Sequence, residues 1–261
     1  VALFLAGFVP AAVIMVCLMA LVWYRARKYD WPVDSRPDLS RLLATAKRAA
    51  IPLVIPIVIL GGFIGGVFTA TEAGAVVAAY AFVAARFYYR NVTYLEIAKL
   101  AYESAILTAS VVFLLAVASV FQYLMGVSGV PKLLAEVLGP LKAMPWLFLL
   151  CTAVITMMFG MVLEGLPAAV VLIPVVFPIA EQMNINPYHF NIVQTAAVGI
   201  GLFLPPMGVG LLMALKFANL SVGQHWRAYM PYIGALLLGL VLIILFPEIS
   251  LVLPRAAGAI R

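Results

Sequence analysis

Apolar runs separated by short polar or glycine-proline breaks set the pattern of this chain. Residues 3–24, 50–68, 74–89 and 105–124 are four long apolar stretches, each near the length needed to cross about 30 Å of hydrocarbon. A polar, basic stretch, 25–48, separates the first two, and a short amphipathic piece, 94–103, leads into the fourth. Residues 126–142 carry Gly129, Pro131, Gly139 and Pro140 and read as a short helix lying on the membrane surface. Two apolar pieces, 146–159 and 166–180, then flank Gly160-Met161-Val162-Leu163-Glu164-Gly165. A long run, 190–217, is interrupted at 199–210, and a last span covers 232–246.

Composition agrees with a bilayer as solvent. Hydrophobic residues make up 66% of the 261 and charged residues 10%, against roughly 45–50% and about 25% in soluble domains. The fold class expected is therefore all-α and membrane-embedded, a multi-span helical bundle. The net charge of +6 does not point to nucleic acid, because the basic residues cluster in loops beside apolar runs. With 25–48 in the cytoplasm and the spans alternating, twelve of the 16 Lys and Arg fall on the cytoplasmic side. Lys132, Lys142, Arg255 and Arg261 fall on the other, which satisfies the positive-inside rule and puts the C-terminus outside. Cys17 and Cys151 lie in apolar stretches and suggest neither a disulfide framework nor a zinc site. No signal peptide is expected, and the start at Val1, inside an apolar run, suggests a piece of something longer.

The interrupted segments carry the chemistry. Fourteen residues, 146–159, reach only about 21 Å as a helix; the partner 166–180 contains Pro167, Pro174 and Pro178. A re-entrant hairpin turning near mid-membrane at 160–165 accounts for both; two tilted full spans joined by a cytoplasmic loop is the alternative. Pro205-Pro206, flanked by Gly199, Gly201, Gly208 and Gly210, must break its helix and leave carbonyls in need of partners, which a cation, water, polar substrate or neighbouring helix can supply. A re-entrant tip beside a discontinuous helix is how transporters build a midplane site. Glu164 at the tip is a candidate for cation binding, proton carriage or turn orientation. Glu72, in Thr69-Ala70-Thr71-Glu72, fits better as part of a helix N-terminus. His189 and His225 stand alone at helix ends and read as structural. Zinc-protease, phosphate-loop and nucleophile-elbow motifs are absent, so an enzyme is not expected.

Residues 61–73, Gly-Gly-Phe-Ile-Gly-Gly-Val-Phe-Thr-Ala-Thr-Glu-Ala, resemble a segment of the large membrane subunit of tripartite ATP-independent periplasmic (TRAP) transporters. The tip Leu163-Glu164-Gly165-Leu166-Pro167-Ala168, the break from Gly201 to Gly208 and the opening Leu3-Phe4-Leu5-Ala6-Gly7-Phe8-Val9-Pro10 are similar to that family in the same order. The resemblance implies an inner-membrane, Na⁺-driven importer of organic acids, multi-pass in a bacterial cell. It implies a small membrane subunit and a periplasmic solute-binding protein as partners. It divides the chain into 1–49, the last helix of a missing first repeat with its basic linker, and 50–261, a second inverted repeat. That repeat comprises scaffold helices (50–103), an arm and surface helix (104–145), a hairpin (146–182), a discontinuous helix (188–217) and a final helix (230–250). By the same resemblance Gly160, Glu164, Gly165, Gly201, Leu204 and Met207 are candidates for Na⁺, and Glu164, Gly165, Pro206 and Gly208 for substrate. Two departures stand out: the family usually has Asp where Glu164 stands and Thr where Leu204 stands. A channel, a non-transporting scaffold subunit, or a carboxylate symporter working without a binding protein are the alternatives.

Overall fold

A computed structural model describes residues 1–31, 39–90, 92–129, 144–163, 165–205, 208–218 and 222–260. All regular structure among them is helical: α1 (Ala2–Lys28), α2 (Leu39–Ile64), α3 (Ala70–Val83) running into a π-turn (Ala84–Tyr88), α4 (Tyr94–Ser128), α5 (Pro145–Leu163), α6 (Gly165–Gln182), α7 (Pro187–Gly201), α8 (Val209–Ala218), α9 (Val222–Leu245) and α10 (Glu248–Ala256). Four stretches are long and apolar enough to cross a membrane: Ala2–Lys28, Tyr94–Val120, Pro145–Val162 and Trp226–Leu245. The pair Leu39–Lys47 and Ala49–Gly62, bent by 64°, makes a fifth if it is one span. This is an all-α, multi-pass membrane protein. The proposed surface helix lies largely outside the described residues.

The chain forms two compact units. The first holds residues 31–110. Its α2 begins in sequence that looks too polar for a span and bends at residue 48, four residues before Pro52; a proline inside a helix is the expected cause of a kink one turn before it. Tyr80 of α3 donates its hydroxyl to the Ile51 carbonyl at 2.9 Å and ties the two helices together. Glu72 closes a capping box: its carboxylate accepts from the Thr69 N–H and hydroxyl, both at 2.8 Å, and its own N–H donates to the Thr69 hydroxyl at 3.3 Å. The Thr69 backbone N–H, and then its hydroxyl, hold the carboxyl below the usual carboxylate range. That is the structural role the sequence favoured for Glu72.

The second unit holds residues 2–30 and 111–261 and is organised around α7. Helices α5, α6, α1, α9 and α10 all pack against it. Most of α7 is buried: Phe190, Val193, Ala197 and Ile200 pack with Phe148 of α5, Ile179 of α6 and Leu240 and Ile243 of α9. Asn186 caps α7 through the Tyr188 N–H at 2.9 Å, with Pro187 at its first position, as such starts prefer. His189 is buried in the first turn with Nδ1 3.3 Å from the Ser250 hydroxyl of α10, so its observed role is to pin α10 onto α7.

Candidate functional site

The site is built from one face of α5 and one face of α7. On α5, Thr152, Thr156 and Gly160 recur every four residues and so share a face; on α7, Gln194, Val198 and Gly201, spaced by four and then three, share one as well. Thr156 donates its hydroxyl to the Gln194 side-chain carbonyl at 2.5 Å, and the Gln194 amide donates to the Thr152 hydroxyl at 2.8 Å. Thr152 in turn donates to the Leu149 carbonyl at 3.1 Å. All three side chains are buried. A buried amide costs free energy unless its polar atoms are paired, and here both ends are.

Past this ladder the helices touch backbone to backbone. A Cβ on Gly201 would lie 2.7 Å from the Met157 carbonyl oxygen and 3.2 Å from the Gly160 Cα; one on Gly160 would lie 3.2 Å from the Val198 carbonyl oxygen. Gly165, the first residue of α6, fits against the side chains of Val198 and Leu202, where a Cβ would come within 3.1 and 3.3 Å. The turn between α5 and α6 thus lies directly against the break that follows α7.

Two expectations change here. Helix α5 does not stop at residue 159 but runs through Leu163, 19 residues in all, or about 28 Å. Its length alone no longer argues for re-entrance, and the next helix starts at Gly165. The carbonyls of the break are also not bare. Gly201 accepts from the Leu204 N–H at 3.0 Å, Leu202 from the N–H groups of Gly210 and Leu211 at 3.0 and 3.3 Å, and Leu204 from the Gly208 N–H at 3.0 Å. Phe203 accepts from the Tyr229 hydroxyl of α9. Turn N–H groups released by the same break, plus one neighbouring phenol, satisfy them. A carbonyl has two lone pairs, so Gly201, Phe203 and Leu204 keep acceptor capacity while Leu202 has both engaged.

Of the candidate residues, Gly160, Gly165, Gly201 and Leu204 come together at this junction, and Gly208 adjoins it through Leu204. Glu164, Pro206 and Met207 lie outside the described residues. Among the described residues no three His, Cys, Asp or Glu side chains gather. Sequence reasoning missed Gln194, Thr152 and Thr156. The available signal was a lone amide in an apolar run opposite two threonines four residues apart. Gln194→Leu should leave both threonine hydroxyls without their partner at a dry interface. A loss of about 1–2 kcal/mol is expected, checked by thermal unfolding in detergent.

The model for the DctM component of the tripartite ATP-independent periplasmic transporters matches residues 1–249. The chain is 34% identical over 258 residues to the C4-dicarboxylate TRAP transporter large permease protein DctM of Pseudomonas aeruginosa, covering 98% of this chain and 60% of that protein. It is 30% identical over 256 residues to the protein of that name from Rhodobacter capsulatus, covering 98% and 58%. It is 28% identical over 253 residues to the sialic acid TRAP transporter permease protein SiaT of Haemophilus influenzae, covering 97% and 41%. The chain thus spans at most about 60% of the length of these curated relatives. A match along nearly the whole chain, with the paired breaks of α5–α6 and α7–α8 inside it, shows that the chain belongs to the DctM family of TRAP transporter components.

Proposed function

We propose that this chain is membrane machinery of a Na⁺-coupled secondary transporter that imports organic acids across a bacterial inner membrane. A small membrane subunit and a periplasmic solute-binding protein complete it, along with a first repeat corresponding to the part of the relatives outside the match. The observation that carries the reading is the contact between Gly160 and Gly201. Helices α7 and α8, 15 and 10 residues long, would together measure about 37 Å end to end, more than the hydrocarbon thickness. A break between them, and the α5–α6 turn packed on it, then falls inside the membrane; this supports a re-entrant hairpin better than helix length did.

Four helix ends meet there. The C-termini of α5 and α7 carry partial negative charge and the N-termini of α6 and α8 partial positive charge. The first pair suits a cation: carbonyls of Gly160, Gly201, Leu204 and Met207 bind Na⁺, with Glu164 and Gly165 at the turn. The second pair suits the carboxylate of the substrate, through Gly165 and Gly208 with Pro206 shaping the approach. Related proteins are named for C4-dicarboxylates, 2,3-diketo-L-gulonate and sialic acid, which share a carboxylate.

The test is uptake of a labelled C4-dicarboxylate into proteoliposomes containing the complete assembly. An inward Na⁺ gradient should drive it and a K⁺ gradient of equal size should not; equal rates would remove Na⁺ coupling. This chain alone should give no Na⁺-dependent uptake, because a midplane site of this kind forms between two repeats. Orientation has its own check. With Cys17 and Cys151 replaced by Ser, an impermeant thiol reagent added outside spheroplasts should label a cysteine at Ala257 and spare one at Ser35. Labelling of the latter would invert the topology.

A further inference from the structure

Helices α8 and α9 enclose a cavity of about 260 Å³ that the proposed transport site does not use. Its walls include Leu211, Leu215, Trp226, Tyr229 and Tyr232. Among the described residues no charged side chain lines it, and it is smaller than the about 300–1,000 Å³ of small-molecule pockets. A slender apolar chain fits such walls.

The rim is basic. Arg25, near the end of α1, donates through Nη1 to the carbonyl of Ala228 at 2.5 Å, and Ala228 is part of the cavity wall. The guanidinium also lies 5.3 Å from the ring centre of Tyr232 and 5.4 Å from that of Tyr29. Among the described residues the guanidinium uses one of its five N–H donors in a hydrogen bond. Among the described residues Arg25 forms no ion pair with a carboxylate. Lys28, Lys216 and Arg227 lie at the same ends of α1, α8 and α9, with Asp30, Asp34 and Asp38 as the acids that follow α1 in sequence. The spans Ala2–Lys28 and Trp226–Leu245 meet at this end through the Arg25–Ala228 bond. Trp226 and Tyr229 therefore lie where aromatic residues anchor spans at the membrane surface.

We propose that this cavity binds one anionic phospholipid, with an acyl chain between α8 and α9 and the phosphate on Arg25. Charge complementarity selects this occupant. The headgroup region is the one place beside a span where an anion and an acyl chain are covalently joined, and basic pockets between spans recognise anionic headgroups in this way. The lipid would also rest on Tyr229, whose hydroxyl reaches the Phe203 carbonyl in the break, so its wall is shared with the discontinuous helix.

The test uses Trp226 as sole tryptophan, with Trp23, Trp31 and Trp146 changed to Phe. The chain is placed in phosphatidylcholine vesicles containing equal mole fractions of brominated phosphatidylglycerol or brominated phosphatidylcholine. Brominated phosphatidylglycerol should quench Trp226 more strongly. Arg25→Gln should lower that relative affinity roughly fivefold. Arg27→Gln removes the same charge, but Arg27 is stacked over the ring at position 23, 4.2 Å from its centre, a contact that the Trp23→Phe change keeps with a smaller aromatic ring, and it should leave the preference intact. Equal quenching by the two lipids would overturn the proposal, as would equal losses from both arginine variants, the mark of a diffuse surface field. Quenching by neither lipid would also overturn it, because protein, a second copy included, then covers the cavity. If Arg25→Gln fails to fold, the two-lipid comparison on the parent protein still decides.

Discussion

Gly201→Val should abolish Na⁺-dependent uptake at ordinary Na⁺ concentrations while leaving the protein in the membrane. Position 201 is where α7 ends and where its backbone meets α5. The nearest atoms to an added Cβ are the Met157 carbonyl oxygen at 2.7 Å and the Gly160 Cα at 3.2 Å. Both belong to the backbone of a packed helix and cannot rotate away. Overpacking of this kind costs about 1–3 kcal/mol, and valine adds two further carbons that must go somewhere. The least costly relief is to part the end of α5 from the end of α7. The rest of their interface, the Thr152–Gln194–Thr156 ladder and the Phe148–Phe190 core, begins about one turn from Gly160 on α5 and two turns from Gly201 on α7, and its far end can persist. If Na⁺ is held between the two ends, the strain appears as lost affinity, and 3 kcal/mol corresponds to about a hundredfold. Uptake against Na⁺ concentration, measured beside membrane yield and unfolding temperature, checks this. Unchanged Na⁺ dependence in a stable protein would mean that the two breaks do not share an ion.

The fold was legible where length and apolarity suffice. The run at 3–24 emerges as α1, and that at 232–246 as most of α9, because a span is a simple pattern. It was less legible where polar residues sit in helices. The start of α2, with Ser40, Arg41 and Lys47, read as linker but is helical; the amphipathic piece at 94–103 is continuous with the span after it, in one helix of 35 residues. Helix α10 went unread. Its bidentate Arg255–Glu248 pair at 2.6 and 2.7 Å spans two turns, a spacing that only a helix brings together. Glycines marked the break after α7, but not what satisfies its carbonyls, and Gly160, expected in a turn, lies inside α5. Composition cannot tell that the phenol of Tyr229, 26 residues away, reaches Phe203. Nor can periodicity reveal that Gln194 faces two threonines, since that depends on which side of α7 meets α5.

Three of the four glycines around Pro205-Pro206, Gly199, Gly208 and Gly210, should respond to alanine in a set order, and Gly208→Ala should be the most damaging of the three. A Cβ at 208 would collide with the carbonyl oxygens of Leu202 and Leu204 and lie 2.9 Å from the Leu202 carbonyl carbon. Those oxygens are fixed by their own bonds, Leu204 to the Gly208 N–H and Leu202 to Gly210 and Leu211. A single methyl group therefore forces the turn to open, and with it the start of α8, which the substrate carboxylate is proposed to meet. At Gly210 the closest atom is the Phe203 ring edge at 2.9 Å; that ring can swing, so Gly210→Ala should be milder. Gly199 has nothing within 4 Å, and alanine is the better helix former by about 1 kcal/mol. Gly199→Ala should thus be neutral or slightly stabilising. Three variants, one assay and one backbone break give a ranking that simple helix propensity would reverse: propensity favours alanine over glycine at every position, whereas the collisions predict loss of uptake at 208, a partial loss at 210 and none at 199. Equal activity across all three would mean that the break is loose enough to absorb a methyl group anywhere, and could not hold the fixed helix ends that a coupled site requires.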